Sequence, residues 1–282
     1  MKISRILIIL TIAVTLMACS LTINVPSVET GVTQTFKIDE ALGSGSETAS
    51  VNIEMGAGTL DLTGGTEKLV EGEVIYNVKS WKPTVTRAGN SISIKQENTS
   101  TVGIPDGTIK NMWTIQLGSI PMDLSLSTGA YEGTLDLSGL SITSLSIRDG
   151  ASKSTVRFDT PNPVDMSILS YKTGASQVSL KGLGNANVDQ ISFDGGVGSY
   201  ELDFTGDLSK DVNVTIKSGM SDIKLVFPTD CRANVIINGG LSNVDINGTW
   251  SVTNNSYSFG TTGPVVNVII EMAVGNLQLV QQ

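Results

Sequence analysis

Apolar and polar residues alternate along short runs of this chain, and the runs recur. Leu145-Ser146-Ile147, Ile191-Ser192-Phe193 and Val212-Asn213-Val214-Thr215-Ile216 place an apolar side chain at every second position. Val235-Ile236-Ile237 and Val266-Asn267-Val268-Ile269-Ile270 belong to the same series. A period of two marks strands with one buried face.

Each run leads into a second motif. Gly174-Ala175-Ser176-Gln177-Val178-Ser179-Leu180, Gly196-Val197-Gly198-Ser199-Tyr200-Glu201-Leu202, Gly219-Met220-Ser221-Asp222-Ile223-Lys224-Leu225 and Gly240-Leu241-Ser242-Asn243-Val244-Asp245-Ile246 share one pattern. It reads glycine, apolar, Ser or Gly, polar, apolar, polar, apolar. The leading glycines stand 22, 23 and 21 residues apart, the short period of a solenoid. Weaker copies begin at Gly56, Gly129, Gly150 and Ala273.

The pattern predicts an all-β stacked-strand solenoid with two sheets, about 21–24 residues per coil and almost no helix. A coil reads as strand, glycine turn, strand, turn. The glycine supplies a positive φ or a close backbone approach, and the apolar residue behind it tucks inward. One inward ladder is expected through Ile147, Ile191, Ile216 and Ile237, and the other through Val156, Val178, Tyr200, Ile223, Val244 and Leu277. The coil from Val265 to Val280 reads as the open end of the stack, an edge suited to self-association.

The first 18 residues are of another kind. Lys2 and Arg5 precede an uncharged apolar stretch from Ile6 to Ala18, too short to span a bilayer and patterned as a signal peptide. Leu16-Met17-Ala18-Cys19 resembles a lipobox, which implies a diacylglycerol on the Cys19 thiol and stable membrane anchoring. Residues 19–47 have no sustained period and read as anchor and tether.

Charge narrows the partners. Removing Lys2 and Arg5 leaves 16 basic against 27 acidic side chains, a net charge of −11. Such a surface disfavours nucleic acid, which needs a basic face. The chain has no histidine, so Ser-His-Asp and Cys-His catalysis and the common zinc sites are excluded. No cofactor motif occurs, and no catalytic or metal-ligating set is assigned. With Cys19 lipidated, Cys231 stands alone beside Arg232 and carries no catalytic role.

Two surface features remain. Carboxylates recur in the second motif at Asp61, Asp136, Glu201 and Asp245, while Arg157, Ser179, Lys224 and Gln278 stand at positions read as equivalent. That mixture describes a solvated face. Trp81, Trp113, Trp250, Tyr131 and Tyr257 could stack on sugar rings, and Trp250 with Tyr257 forms the candidate binding patch.

Ile53-Glu54-Met55-Gly56-Ala57-Gly58-Thr59-Leu60-Asp61-Leu62-Thr63-Gly64-Gly65, Leu69-Val70-Glu71-Gly72, Lys82-Pro83 and Ser91-Ile92-Ser93-Ile94 together resemble the N-terminal domain of the toast-rack family. The resemblance covers residues 48–140. Residues 141–282 continue the repeat in an adhesin-like manner. The family is bacterial, mostly membrane-linked, and similar to cell-wall-active antibiotic response and adhesin domains. The resemblance implies a two-sheet stack of strands with a surface-facing role and no enzymatic residues to carry over; with the lipobox at Cys19, the expectation is a noncatalytic lipoprotein at the cell membrane or outer membrane, outside the cytoplasm. Its expected partner is wall polysaccharide or a protein. An accessory subunit of a membrane stress-sensing complex is the second expectation, and a polysaccharide-acting β-helix enzyme the third.

Overall fold

The computed structural model describes residues 27–43, 48–97, 104–105, 108–240 and 243–282. The leader and Cys19 lie outside the described residues. In chain order the strands are β1 (Ser27–Val28), β2 (Gln34–Glu40), β3 (Ala49–Thr66), β4 (Val70–Tyr76), β5 (Pro83–Ala88), β6 (Ser91–Gln96), β7 (Ile104–Pro105), β8 (Asn111–Gly118) and β9 (Met122–Asp136). There follow β10 (Ile142–Arg157), β11 (Met166–Lys181), β12 (Val188–Asp203), β13 (Val212–Phe227), β14 (Arg232–Gly239), β15 (Asn243–Asn247), β16 (Ser251–Thr253), β17 (Ser256–Phe259) and β18 (Val265–Gln281). The only helical turns among the described residues are two short 3-10 segments, Lys79–Trp81 and Leu183–Ala186.

The solenoid expected from the repeat is present, and each coil is built on one long bent strand. In β10, beyond the irregularity at Ile142–Ser144, the buried side chains are Leu145 and Ile147 before the glycine but Ser154 and Val156 after it. Odd and even positions of a straight strand face opposite ways, so burial of both sets requires the strand to turn over at Asp149–Ala151. Both halves then face one core. Parallel pairing resumes on each side of the bend, so the two expected sheets are halves of a single sheet of 16 strands.

The leading glycines serve close approach rather than positive φ. A Cβ on Gly174 would lie 2.4 Å from the carbonyl oxygen of Gly150, and one on Gly196 2.4 Å from that of Gly174. The residues behind Gly174, Gly196 and Gly219 point outward, contrary to the sequence expectation: Val197 is 54% exposed and Met220 58%. With the bend convex at this point, the inside is already filled by the residues flanking it.

The inner ladders differ from the expected ones by single slips. Ile147 aligns through Tyr171 with Phe193, while Ile191 belongs to the adjacent row of Leu145 and Leu169. Val178 aligns with Ser154, and Val156 with Leu180. All these residues are buried. A slip of two residues keeps the same face inward, so alternation alone does not forbid it.

Order along the stack departs from order along the chain. β9 to β13 are consecutive neighbours, but β13 next pairs with β18, and β18 pairs on its other side with β14 and β15. The coil expected at the open end is therefore internal, and the 21-residue spacing from Gly219 to Gly240 does not join neighbours. At the other end β3 pairs with β9 and is flanked by β6 and β8. Antiparallel β5 extends β6, and antiparallel β4 and β2 extend β8. Residues 34–40, read as tether, thus enter the sheet, and Ile38 is 2% exposed. Phe36 and Ile38 alone are too short an apolar pattern to reveal this. The sheet also runs uninterrupted from β9 into β10, across residues 140 and 141.

Candidate functional site

Alternation sends every second residue of each strand outward, and the parallel register lines these residues into rows that cross the strands, with neighbours in a row about 4.8 Å apart. Beyond the bend, one outer row runs Ser199, Asp222, Asn276, Asn243 over β12, β13, β18 and β15. The next runs Glu201, Lys224, Gln278, Asp245 over the same strands. Apart from Glu201, they line an open groove of about 500 Å³ over the backs of Ile223 and Leu277.

The groove is partly self-paired. Asn276 Nδ2 donates to Asp222 Oδ1 at 2.7 Å, and Lys224 Nζ lies 2.9 Å from Glu201 Oε1. The Lys224 hydrogen bond holds the Glu201 carboxyl below its usual range. Asn243, Asp245 and Gln278 have no side-chain partner among the described residues. Carboxylate, amide and ammonium groups therefore converge with hydrogen-bonding capacity to spare. A second groove, over Lys37, Asp39, Glu71 and Glu73, is more committed, because Lys68 lies 2.9 Å from both Asp39 and Glu71.

The recurrent carboxylates do not form one cluster. Glu201 and Asp245 share a row, and Asp61 aligns with Thr134 at its far end. Asp136 and Arg157 occupy a different row, where Arg157 Nη2 meets Asp136 Oδ2 at 2.6 Å. Among the described residues no three acidic or cysteine side chains converge as a metal site. The sequence reading overlooked the row of Asp222, Asn243 and Asn276. Its signal is the third residue after each motif glycine or Ala273, polar throughout.

The aromatic candidates separate. Trp81, Trp113 and Tyr131 are buried. Trp250 is half-buried and packs edge-on against Phe259 at 4.7 Å and Phe227 at 5.7 Å, with Nε1 donating to the Asn247 carbonyl at 3.1 Å. Tyr257, on β17, is also half-buried and packs against the core. Both lie at the β14–β15 end, with Phe259 supplying the ring that Trp250 meets.

Two interior groups remain. Asp149, at the bend, accepts hydrogen bonds from Tyr171 Oη at 2.8 Å, Ser152 Oγ at 3.0 Å and the Thr173 hydroxyl. Burial, with Tyr131 and Asp149 nearby, pushes the Tyr171 hydroxyl up. This carboxylate is committed to holding the bend. Cys231 is buried with Sγ 3.2 Å from the Pro228 carbonyl; burial and then the Asp230 charge push its thiol up to about 11. Because thiolate is the reactive form, alkylation of the folded protein at pH 8 is expected to run about 100-fold slower than for a free thiol. Rapid labelling by a thiol reagent would show that the β13–β14 turn opens.

Residues 26–170 and 160–226 match the family model described as the N-terminal domain of toast_rack, DUF2154, beyond the 48–140 span of the sequence resemblance. Among solved structures, a candidate cell adhesion protein from Clostridium sporogenes is 22% identical, over 89% of this chain and 99% of its own, with a TM-score of 0.46. A candidate adhesin from Bacteroides fragilis is 12% identical over 90% and 100%, with a TM-score of 0.36. A candidate lipid binding protein from Parabacteroides distasonis is 10% identical over 89% and 99%, with a TM-score of 0.39. At this distance neither ligand nor partner transfers. No functionally curated protein matches the chain.

Proposed function

The chain belongs to the toast_rack N-terminal domain family, and on that premise we propose that it is a noncatalytic surface scaffold that binds uncharged wall polysaccharide along its outer groove. It is held at the cell membrane or outer membrane by lipid on Cys19 and faces away from the cytoplasm. The observation that carries this reading is the pair of outer rows ending at Asn243 and Asp245. Planar amide and carboxylate groups fixed on rigid strands can exchange water for the hydroxyls of a sugar chain at little cost in ordering. The net charge of −11 on the chain without its leader turns polyanionic polymers away.

The test is co-sedimentation of the full lipidated chain, in detergent, with purified wall polysaccharide at fixed salt. Asn243→Ala combined with Asn276→Ala is expected to weaken binding at least 10-fold, while Lys37→Ala, in the other groove, leaves it unchanged. Equal loss from both changes, or no polysaccharide binding by the parent, overturns the reading. Crosslinking in intact cells that recovers one membrane protein in near-equal amount would replace it with the accessory-subunit role.

A further inference from the structure

The solenoid has two ends, and the bend divides each into two half-ends. Three of the four carry antiparallel strands: β5 on β6, β4 and β2 on β8, and β17 and β16 on β14. The fourth is β15, whose pairing among the described residues is with β18 alone. Its outer edge leaves backbone donors and acceptors without a strand partner, the arrangement that invites β-addition.

The core is open at the same place. Ile246 continues the inward row of Leu202, Leu225 and Leu279, which are at most 0% exposed, yet Ile246 is 46% exposed. Val252, on β16, is 49% exposed, and Trp250 is half-covered. At the opposite end the corresponding Ile115 is 0% exposed because β4 and β2 continue the sheet beyond it. What covers a half-end elsewhere in this fold is an antiparallel strand.

We infer that a second copy of this chain supplies that strand, β15 pairing antiparallel with β15 about a two-fold axis. The strand reads Asn243-Val244-Asp245-Ile246-Asn247, the same in chemistry from either direction. Centred on Asp245, the pairing sets Val244 against the second copy's Ile246 on the inner face and Asn243 against its Asn247 on the outer. Such an interface is isologous and closes. It joins the two half-ends into one sheet and makes the two outer grooves continuous. The cost is Asp245 facing its counterpart, a like-charge contact on the solvent side that salt screens. Apolar burial at Val244 and Ile246, together with the main-chain bonds, outweighs it. The inference stands independently of what the groove binds.

The register makes the test specific. Full-length chains carrying Asp245→Cys are oxidised in intact cells beside the parent and an Asp61→Cys control, which lies in the same motif position at the far end. Disulfide-linked dimer is expected at least 10-fold more abundant for Asp245→Cys than for either control, and adding Ile246→Lys should return it to background. Asp245→Asn, which removes the like-charge contact, should raise the dimer fraction in sedimentation of the detergent-solubilised chain. Crosslinking at 245 no greater than at 61, or a product of another mass, overturns the inference. So does a monomer unaffected by Asp245→Asn.

Discussion

Replacing Phe227 by alanine is expected to lower the unfolding free energy by about 3–5 kcal/mol, the range for emptying a large aromatic site in a packed core. Phe227 is fully buried and stacks on Phe204 at 5.3 Å with the rings 13° apart. Its edges meet Trp250 at 5.7 Å and Phe259 at 5.9 Å. One side chain thus ties the last turn of the β12 coil to the β16–β17 hairpin that closes the core. Collapse cannot easily fill the space, because β13 is hydrogen-bonded on both sides, to β12 and to β18. Denaturant titration gives the magnitude, and Trp250 emission should shift to the red as the ring loses its apolar wall. A loss under about 1 kcal/mol with unchanged emission would mean that the aromatic end stands outside the cooperative core. Trp250→Ala, at a half-exposed site, should cost clearly less.

The strand-rich fold was legible because alternation and a recurring glycine are local signals, and each coil states them again. What alternation cannot state is register. Sliding one coil by two residues keeps every apolar side chain on the inner face. The alternation alone therefore suggests Val156 beside Val178, whereas hydrogen bonding aligns Ser154 with it. The Ser154 hydroxyl is buried 2.6 Å from that of Tyr171 in a network ending at Asp149. A polar residue with a polar partner is at home in the interior, but the partner is 17 residues away in the chain. The same slip moved Asp136 and Arg157 into the row of Glu201, hid their mutual ion pair, and obscured the groove.

Stack order was illegible for a different reason. The sequence places Gly240 a regular step after Gly219, and local spacing contains nothing to say that β18 will come between them. Both ends of the stack are made by the same excursion. After β3 the chain builds β4 to β8 before returning as β9; after β13 it builds β14 to β17 before returning as β18. Each return strand gains partners on both edges, and the excursion supplies the cap. The hairpin of β16 and β17 covers the first half of the end coil only. That asymmetry leaves β15 as the available edge and explains why Trp250 and Tyr257, expected as a free binding patch, sit against the core beside an unfinished end.

Gly174→Ala should destabilise the chain by about 1–3 kcal/mol, the cost of overpacking a tight interior, although glycine-to-alanine changes at unstrained positions stabilise by about 0.4–1 kcal/mol. The sign rests on crowding between coils. Gly174 does not have positive φ, so alanine meets no backbone penalty of its own. Its Cβ would instead lie 2.4 Å from the Gly150 carbonyl oxygen, with β11 held between β10 and β12 and unable to move away. The row continues through Gly129, Gly150, Gly196 and Gly219, where the same approach is 2.5, 2.7, 2.4 and 2.8 Å. Chain position 273 in the return strand carries alanine, which shows that the spine can absorb one methyl group by a local shift. The penalty should therefore be graded, greatest at Gly174 and Gly196 and least at Gly219, as read by thermal or denaturant unfolding of the single alanine variants. A uniform gain along the row would point to unfolded-chain entropy acting alone, because that contribution is stabilising and indifferent to the distance between coils.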